Sequence, residues 1–333
     1  MGEHHPRVTI VGLNYSPEPT GIAPYTAGLA AGLLASDWDV KVVTGFPHYP
    51  AWKISEGYVG SRMSDSVDGV PITRLRPYMP KNPSGLKRLL LEVLFGVKSS
   101  TTSWHNPEVI ILVSPALFAV AIAQFRALLM VRRPLVLVWV QDLYSLGVAE
   151  TGTLGGRGAK IMAGVESRVL RNADAVVVIH DRFKKFVVSR LGVQNDRVEV
   201  IRNWTHLVPV EVDRDFFRKK FGWTDEIVVL HAGNMGAKQA LESVVEAARL
   251  ADSENAPIRF VLLGNGNQKE ALATLGAGIN RLEFMQSLND EDFQGAMAAA
   301  DLLLVNEKPG VAEMAVPSKL TSYFAAAREF LLG

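Results

Sequence analysis

The sequence contains no cysteine. Disulfides and thiolate metal sites are excluded, and a reducing compartment is compatible with that composition. Charge of one sign is also lacking: 35 Lys and Arg stand against 34 Asp and Glu, for a formal net charge of +1. No global field therefore steers nucleic acid or a membrane toward the chain. The opening MGEHHPRVTIVGL has no long apolar segment of the signal-peptide kind. Residues 115–131 form the most apolar helix-like stretch. Gln124 and Arg126 interrupt it and it is short for a bilayer span, so it reads as a buried or interfacial helix that could lie against a membrane. No HxH or HExxH motif is present and no DxD triplet directly follows a strand, and His4 and His5 lie in a loose terminus, so no metal site is expected. No short repeat or low-complexity tract is visible.

What the chain has is alternation. With 333 residues and 48% hydrophobic content it is long enough for about two cored domains. Apolar runs at 8–13, 40–45, 71–76, 109–114, 135–140, 175–180 and 198–201 read as strands, with helical patterns at 23–36, 86–100, 115–130 and 159–172. Continuous apolarity suits parallel strands covered on both faces. The pattern pauses in the polar stretch 203–223 and resumes at 226–233 with a second alternation that runs to 327. The expected fold is α/β, two tandem Rossmann-like domains: 1–207, a linker at 208–223, and 224–333. Such sheets bind ligands at the carboxyl ends of their strands, and two in tandem suggest a cleft between them.

The strand ends carry the chemistry. After the first strand, VGLNYSPEPTGIAPYTAGLA runs through a Pro/Gly loop into a helix, with Gly21 just before it, where backbone N–H groups can meet an anion. Pro17, Pro19 and Gly21 are equally readable as loop punctuation. In HAGNMGAKQALES, Gly233 and Gly236 allow a tight turn and Lys238 falls at the start of the next helix. A cation there opposes the helix dipole unless an anion, such as a diphosphate, needs both; the alternative is a solvated lysine. Ser318 and Lys319 in VPSKLTSYFAAA repeat that arrangement. LLGNGNQKEAL carries Gly264 and Gly266 but no third glycine at dinucleotide spacing, and GTLGGRGAK lacks the P-loop spacing. Asp142, after the 135–140 strand, either contacts a substrate hydroxyl or caps its own turn. His48 and Tyr49, between two prolines, either line an acceptor pocket or serve structure.

Six segments in this order, GLNYSPEPTGIAPYTAGLA, VTGFPHYP, WVQDLYSLG, HAGNMGAKQ, FVLLGNG and VPSKLTSYFAAA, resemble family 4 glycosyltransferases of the two-domain GT-B fold, closest to the colanic-acid and exopolysaccharide type. The resemblance runs from about residue 8 to about residue 328. It implies retaining transfer of a sugar from a nucleotide sugar to an acceptor hydroxyl, often lipid-linked at the inner membrane face. It implies no cofactor, because cations and helix ends offset the leaving diphosphate. Lys238, Gly21, Gly233, Asn234, Gly264, Ser318 and Lys319 are then the donor side, Asp142 orients the sugar, and His48 and Tyr49 face the acceptor. Localisation is cytoplasmic, or peripheral at the inner face.

Three departures accompany the resemblance. Ser322 and Met314 stand where many members have paired glutamates, with Glu307 and Glu313 close but out of step. Asn234 occupies the neighbourhood of a usual arginine. Ala327 and Glu329 replace a usual glycine and proline in AAAREFLLG, where the chain stops. A C-terminally truncated member, with an open sheet edge, lowered stability and lowered activity, is the expectation. The competing readings are an epimerase or hydrolase on the same scaffold and a non-catalytic nucleotide-sugar binder.

Overall fold

Short runs of Val, Ile and Leu form the strands, and the order in which helices separate them makes the sheets parallel. The computed structural model describes residues 4–19, 21–49, 51–80, 85–146, 156–204, 211–308, 323 and 330–332. The chain divides into two units, Met1–Asn203 and Trp204–Gly333.

In the first unit, strands β1 (Arg7–Val11), β2 (Asp39–Gly45), β3 (Arg62–Val67), β4 (Val70–Leu75), β5 (Val109–Ser114), β6 (Leu135–Val140), β7 (Ala175–Val178) and β8 (Val198–Val200) order as β3-β4-β2-β1-β5-β6-β7-β8. All neighbours pair in parallel except β3 and β4. That antiparallel hairpin turns at Asp68 and Gly69, both at positive φ (51° and 78°), as a tight two-residue turn requires. Helices α1 (Ala23–Ala35), α2 (Gly85–Ser100), α3 (Leu117–Leu128), α4 (Gly156–Arg171) and α5 (Asp181–Ser189) cover the sheet. Pro24 sits in the first turn of α1, where its missing N–H costs nothing. Side chains alternate between two cores: Val11, Val43, Ile110, Leu112 and Val138 in one, Ile10, Val42, Ile111, Val113 and Trp139 in the other.

The second unit holds helices α6 (Arg214–Phe221), α7 (Glu242–Ser253), α8 (Lys269–Leu275) and α9 (Asp290–Ala299). Its strands are β9 (Ile227–Ala232), β10 (Ile258–Leu263), β11 (Leu282–Met285), β12 (Leu302–Val305) and β13 (Phe330–Leu332), all parallel, in the order β11-β10-β9-β12-β13. Helix α6 arises in the stretch expected to connect the domains. Asp213 caps it by accepting from Phe216 N–H at 3.0 Å, and Gly222 ends it in the left-handed conformation at φ 70°. Phe217 and Trp223 enter the second core, and Asp301 ties α6 to the sheet through Arg214, Arg218 at 3.0 Å and Val228 N–H at 2.8 Å. Burial alone would raise the Asp301 pKa; the Val228 N–H and the two guanidiniums outweigh it and hold the carboxyl below its ordinary value. At the other end of the second unit, β13 adds three residues to the sheet edge beside β12. Among the described residues no helix is long and apolar enough to cross a membrane.

Candidate active site

Two loops meet at the carboxyl edge of the first sheet, and one buried carboxylate joins them. Glu18, 4% exposed, lies in the loop after β1. Its Oε1 accepts the backbone N–H of His48 at 2.7 Å and of Tyr49 at 2.9 Å, and its Oε2 accepts from Asn14 Nδ2 at 2.8 Å. His48 is itself buried, with Nδ1 at 2.8 Å from the Phe46 carbonyl oxygen and 3.4 Å from Glu18 Oε1. Tyr49 stays exposed, and both rings meet Trp52 edge-on at centroid distances of 6.3 Å. Gly21 has φ 69°, a conformation that costs an L residue strain, and a Cβ on it would stand 3.7 Å from the Tyr49 ring. Gly21, His48 and Tyr49 therefore form one cluster. Glu18, which organises it, has no sequence signal beyond its place between two prolines.

The ends of β6, β7 and β8 carry a second polar group that sequence reasoning missed. Asn203 Nδ2 donates to Gln141 Oε1 at 2.9 Å. Gln141 Nε2 and Asn203 Oδ1 are buried with no hydrogen-bond partner among the described residues, as is His180 Nε2. His180 caps α5: its Nδ1 accepts from Phe183 N–H at 3.2 Å, which puts the ring proton on Nε2. Burial, with Arg182 adding to it against Asp181, lowers the His180 pKa and favours that neutral ring. The unused capacity is thus two donors and one acceptor.

Asp142 is exposed beside Gln141 and accepts from its neighbour Leu143 N–H at 2.9 Å. The turn is held from beneath by Glu166 of α4, which accepts from Tyr144 N–H at 2.7 Å, from Ser145 N–H at 3.0 Å and from the Ser145 hydroxyl. Glu92 of α2 does the same for α3, accepting from Phe118 N–H at 3.2 Å. Burial raises both carboxyl pKa values, that of Glu92 to about 7.

In the second unit, the turns after β9 and β10 interlock. Gly233 N–H donates to Leu263 O at 2.9 Å, Met235 N–H to Asn265 O at 2.8 Å, and Gln268 N–H to Met235 O at 3.0 Å. Gly264, at φ 134°, packs so closely that a Cβ there would fall inside the van der Waals shell of the Gly233 carbonyl. Lys238 corrects a sequence expectation. It stands in a separate single turn, Ala237–Gln239, and the long helix α7 starts only at Glu242. Ala240, at φ 46°, breaks the path between them. The Asn306 amide fixes that break, donating to Gln239 O at 2.8 Å and Ala240 O at 2.9 Å, while Lys308 N–H donates to Lys238 O at 2.9 Å. Lys238 and Asn234 are exposed on this braced backbone. Ser318 and Lys319 lie outside the described residues. From their segment, Tyr323 is fully buried, and its hydroxyl accepts from Ala232 N–H at 2.9 Å where the β9–β12 ladder has ended. Among the described residues there is no group of three His, Asp or Glu that could hold a metal ion.

Residues 20–204 match the family described as a glycosyl transferase 4-like domain. WcaI of Escherichia coli K12, named for a glycosyl transferase of colanic acid biosynthesis, is 32% identical over 335 residues, covering 96% of this chain and 81% of WcaI. The chain belongs to the glycosyl transferase 4-like family. WbjE of Pseudomonas aeruginosa, named as a glycosyltransferase, is 25% identical over 253 residues, covering 74% of this chain and 61% of WbjE. Solved glycosyltransferases share the fold of this family member. WaaG, of lipopolysaccharide biosynthesis, superposes with a TM-score of 0.65 at 17% identity, covering 98% of this chain and 80% of that one. Anabaena HepE, solved with UDP-glucose, gives 0.67 at 14% identity over 98% and 80%. The expected two Rossmann-like units of a GT-B transferase are therefore what this family member has.

Proposed function

We propose that the protein transfers a hexosyl group from a nucleotide diphosphate sugar to a hydroxyl of a lipid-linked saccharide, retaining the anomeric configuration, in exopolysaccharide assembly at the inner membrane face. One observation carries the donor half: the interlocked turns at Gly233 and Gly264 expose Asn234 and Lys238 on a backbone that Asn306 and Lys308 hold rigid. A preorganised cation beside glycine turns suits a diphosphate, and the UDP complexes of HepE support a nucleotide donor. Ser318 and Lys319 are proposed to add to it, with Gly21 approaching the donor phosphates.

The acceptor half rests on the first unit. Gln141 Nε2 and Asn203 Oδ1, which share one amide pair, and His180 Nε2 at the end of the neighbouring strand offer donors and an acceptor, and hydroxyls are the groups that both accept and donate. Asp142 would orient the donor sugar, and His48 and Tyr49 would flank the acceptor. As the bond from the anomeric carbon to the phosphate oxygen breaks, the acceptor oxygen bonds to that carbon on the same face. Its proton passes to the departing diphosphate. Lys238 stabilises the charge that grows there, a contact of about 1.5–3 kcal/mol, and the chemistry calls for no metal.

Calorimetric titration with UDP and GDP, on wild type and Lys238→Ala, tests this reading. One nucleotide should bind, and the variant should bind it at least about tenfold more weakly. No binding of either nucleotide to folded protein refutes it. Product that forms from a nucleotide sugar without any acceptor would favour an epimerase or hydrolase instead.

A further inference from the structure

Arg74, near the end of β4, is fully buried. Ile72, two positions earlier and so on the same face of the strand, packs in an apolar core with Tyr15 and Val42. A leucine or methionine would serve that core. The guanidinium reaches two other places instead. Its Nε donates to Asp65 Oδ2 of the neighbouring β3 at 2.5 Å, and its Nη2 donates to the Ser16 carbonyl, in the loop after β1, at 2.6 Å. It stands 6.0 Å from the ring centroid of Tyr15 and 5.5 Å from that of Tyr58. Nη1 is buried with no hydrogen-bond partner among the described residues. An idle buried donor is destabilising, and a buried ion pair seldom gains over an apolar pair of like size, so stability alone does not account for an arginine here.

These contacts lead to the two loops of the first unit's cluster. Ser16 lies two residues before Glu18, which holds the His48 and Tyr49 amides. Tyr58 lies at the far end of the loop that starts at Phe46, and the two rings meet at a centroid distance of 5.6 Å. Arg74 thus grips the loop after β1 through a carbonyl and the loop after β2 through a ring. We propose that Arg74 is a positioning residue of the transfer reaction: from beneath, and without touching substrate, it holds the loop leading to Gly21 and the loop carrying His48 and Tyr49 in one arrangement. The inference rests on the roles proposed above for those loops, and it gives them a rigid support on the β3–β4 hairpin, to which Asp65 fixes the guanidinium.

The paired replacement Arg74→Met with Asp65→Val tests this, because it removes both charges at once. Ser16 is half-buried, so its freed carbonyl can take water. The thermal melt should stay at or above the wild-type value. Hydrogen exchange should rise at least about tenfold in peptides spanning 12–25 and 43–58, and stay at wild-type rates over β5. Arg74→Lys keeps a charge beside Asp65 but lacks the fork that also reaches Ser16, so it should loosen 12–25 nearly as much. Tyr58→Leu, at a half-buried ring, should loosen 43–58 and leave 12–25 as in wild type. Transfer is read with UDP-glucose or GDP-mannose as donor and lipid-linked saccharides extracted from bacterial membranes as acceptor. The paired variant should raise the acceptor KM at least about tenfold with kcat within about threefold, while UDP affinity in calorimetry stays within about threefold. Unchanged exchange in both loops overturns the inference. So does loosening that spreads over β5 with a lowered melt, since the arginine would then serve the core alone, and so do loose loops with an unchanged acceptor KM. A wild type that transfers from neither donor removes the transferase reading, while the exchange rates still decide whether Arg74 holds the loops.

Discussion

Removing the Glu18 carboxylate should release the loop that carries His48 and Tyr49 while the rest of the first unit stays folded. The N–H groups of His48 and Tyr49 donate to this one oxygen, at 2.7 and 2.9 Å. Glu18→Ala leaves both without that acceptor, at about 1–3 kcal/mol for each group stranded in a buried setting. A local opening that becomes easier by about 3 kcal/mol raises hydrogen exchange roughly 100-fold, since each 1.4 kcal/mol is tenfold. Glu18→Gln keeps an acceptor oxygen of the same reach and loses only the charge assistance, so its exchange should rise about tenfold. Mass-spectrometric exchange on a peptide spanning 43–53 reads both variants, with circular dichroism as the check on folding. In an acceptor assay, KM for the saccharide should rise more than KM for the nucleotide sugar, because the disturbed amides belong to the His48 loop. Exchange in Glu18→Ala within about threefold of wild type, in a folded sample, would refute the argument: the loop would then be held by something other than this carboxylate.

Other substitutions test other parts of the structure. Gly264→Ala drives a Cβ into the Gly233 carbonyl at φ 134° and should cost over about 3 kcal/mol with loss of nucleotide binding. Gly164→Ala, in an α4 position with open space around it, should instead add about 0.5–1 kcal/mol; thermal melts read both. Tyr323→Phe removes the partner of Ala232 N–H and should cost about 1–3 kcal/mol by urea unfolding. The Glu92 pKa is raised by burial from 4.5 to about 7, so the native state holds the extra proton between those values. Stability should therefore fall as pH rises from 4.5 through 7, by as much as about 3 kcal/mol, and Glu92→Gln should flatten that slope in urea titrations across the pH range.

The strands were legible because both faces of a parallel sheet are covered, so each strand reads as an unbroken apolar run: 109–114 and 135–140 appear at those bounds. The elements that escaped are the ones for which that reason fails. β3, RMSDSV, is an edge strand with mostly exposed side chains, and no apolar run marks it; only the Asp68-Gly69 turn does. Helix α6 buries Phe217 alone among its residues, so it reads as polar connector, although Asp213 and Gly222 bracket it as a cap and a stop.

The site divides along the same line. A strand followed by glycine and a helix is a local pattern, and it marked the loops that carry Gly21, Gly233 and Gly264. What holds those loops is not local. Glu18 reaches across 30 residues to His48, and Gln141 meets Asn203 across 62, because β2 lies beside β1 and because β6, β7 and β8 end side by side. Lys238 shows the cost of reading only the local pattern. Its spacing from Gly233 fits a helix start, but the helix path is broken at Ala240, and Asn306, on a strand end 66 residues away, secures the break. The ammonium is thus presented by a braced single turn and not by a helix dipole. The electrostatic work proposed for it must then come from its own charge and the rigidity of that turn, which makes Asn306→Ala the sharper test. That variant leaves the lysine in place, and nucleotide affinity should still fall about tenfold as three hydrogen bonds from its amide, to Gln239, Ala240 and Ser243, are lost. Unchanged affinity in calorimetry would mean that the rigidity of this turn contributes nothing to binding.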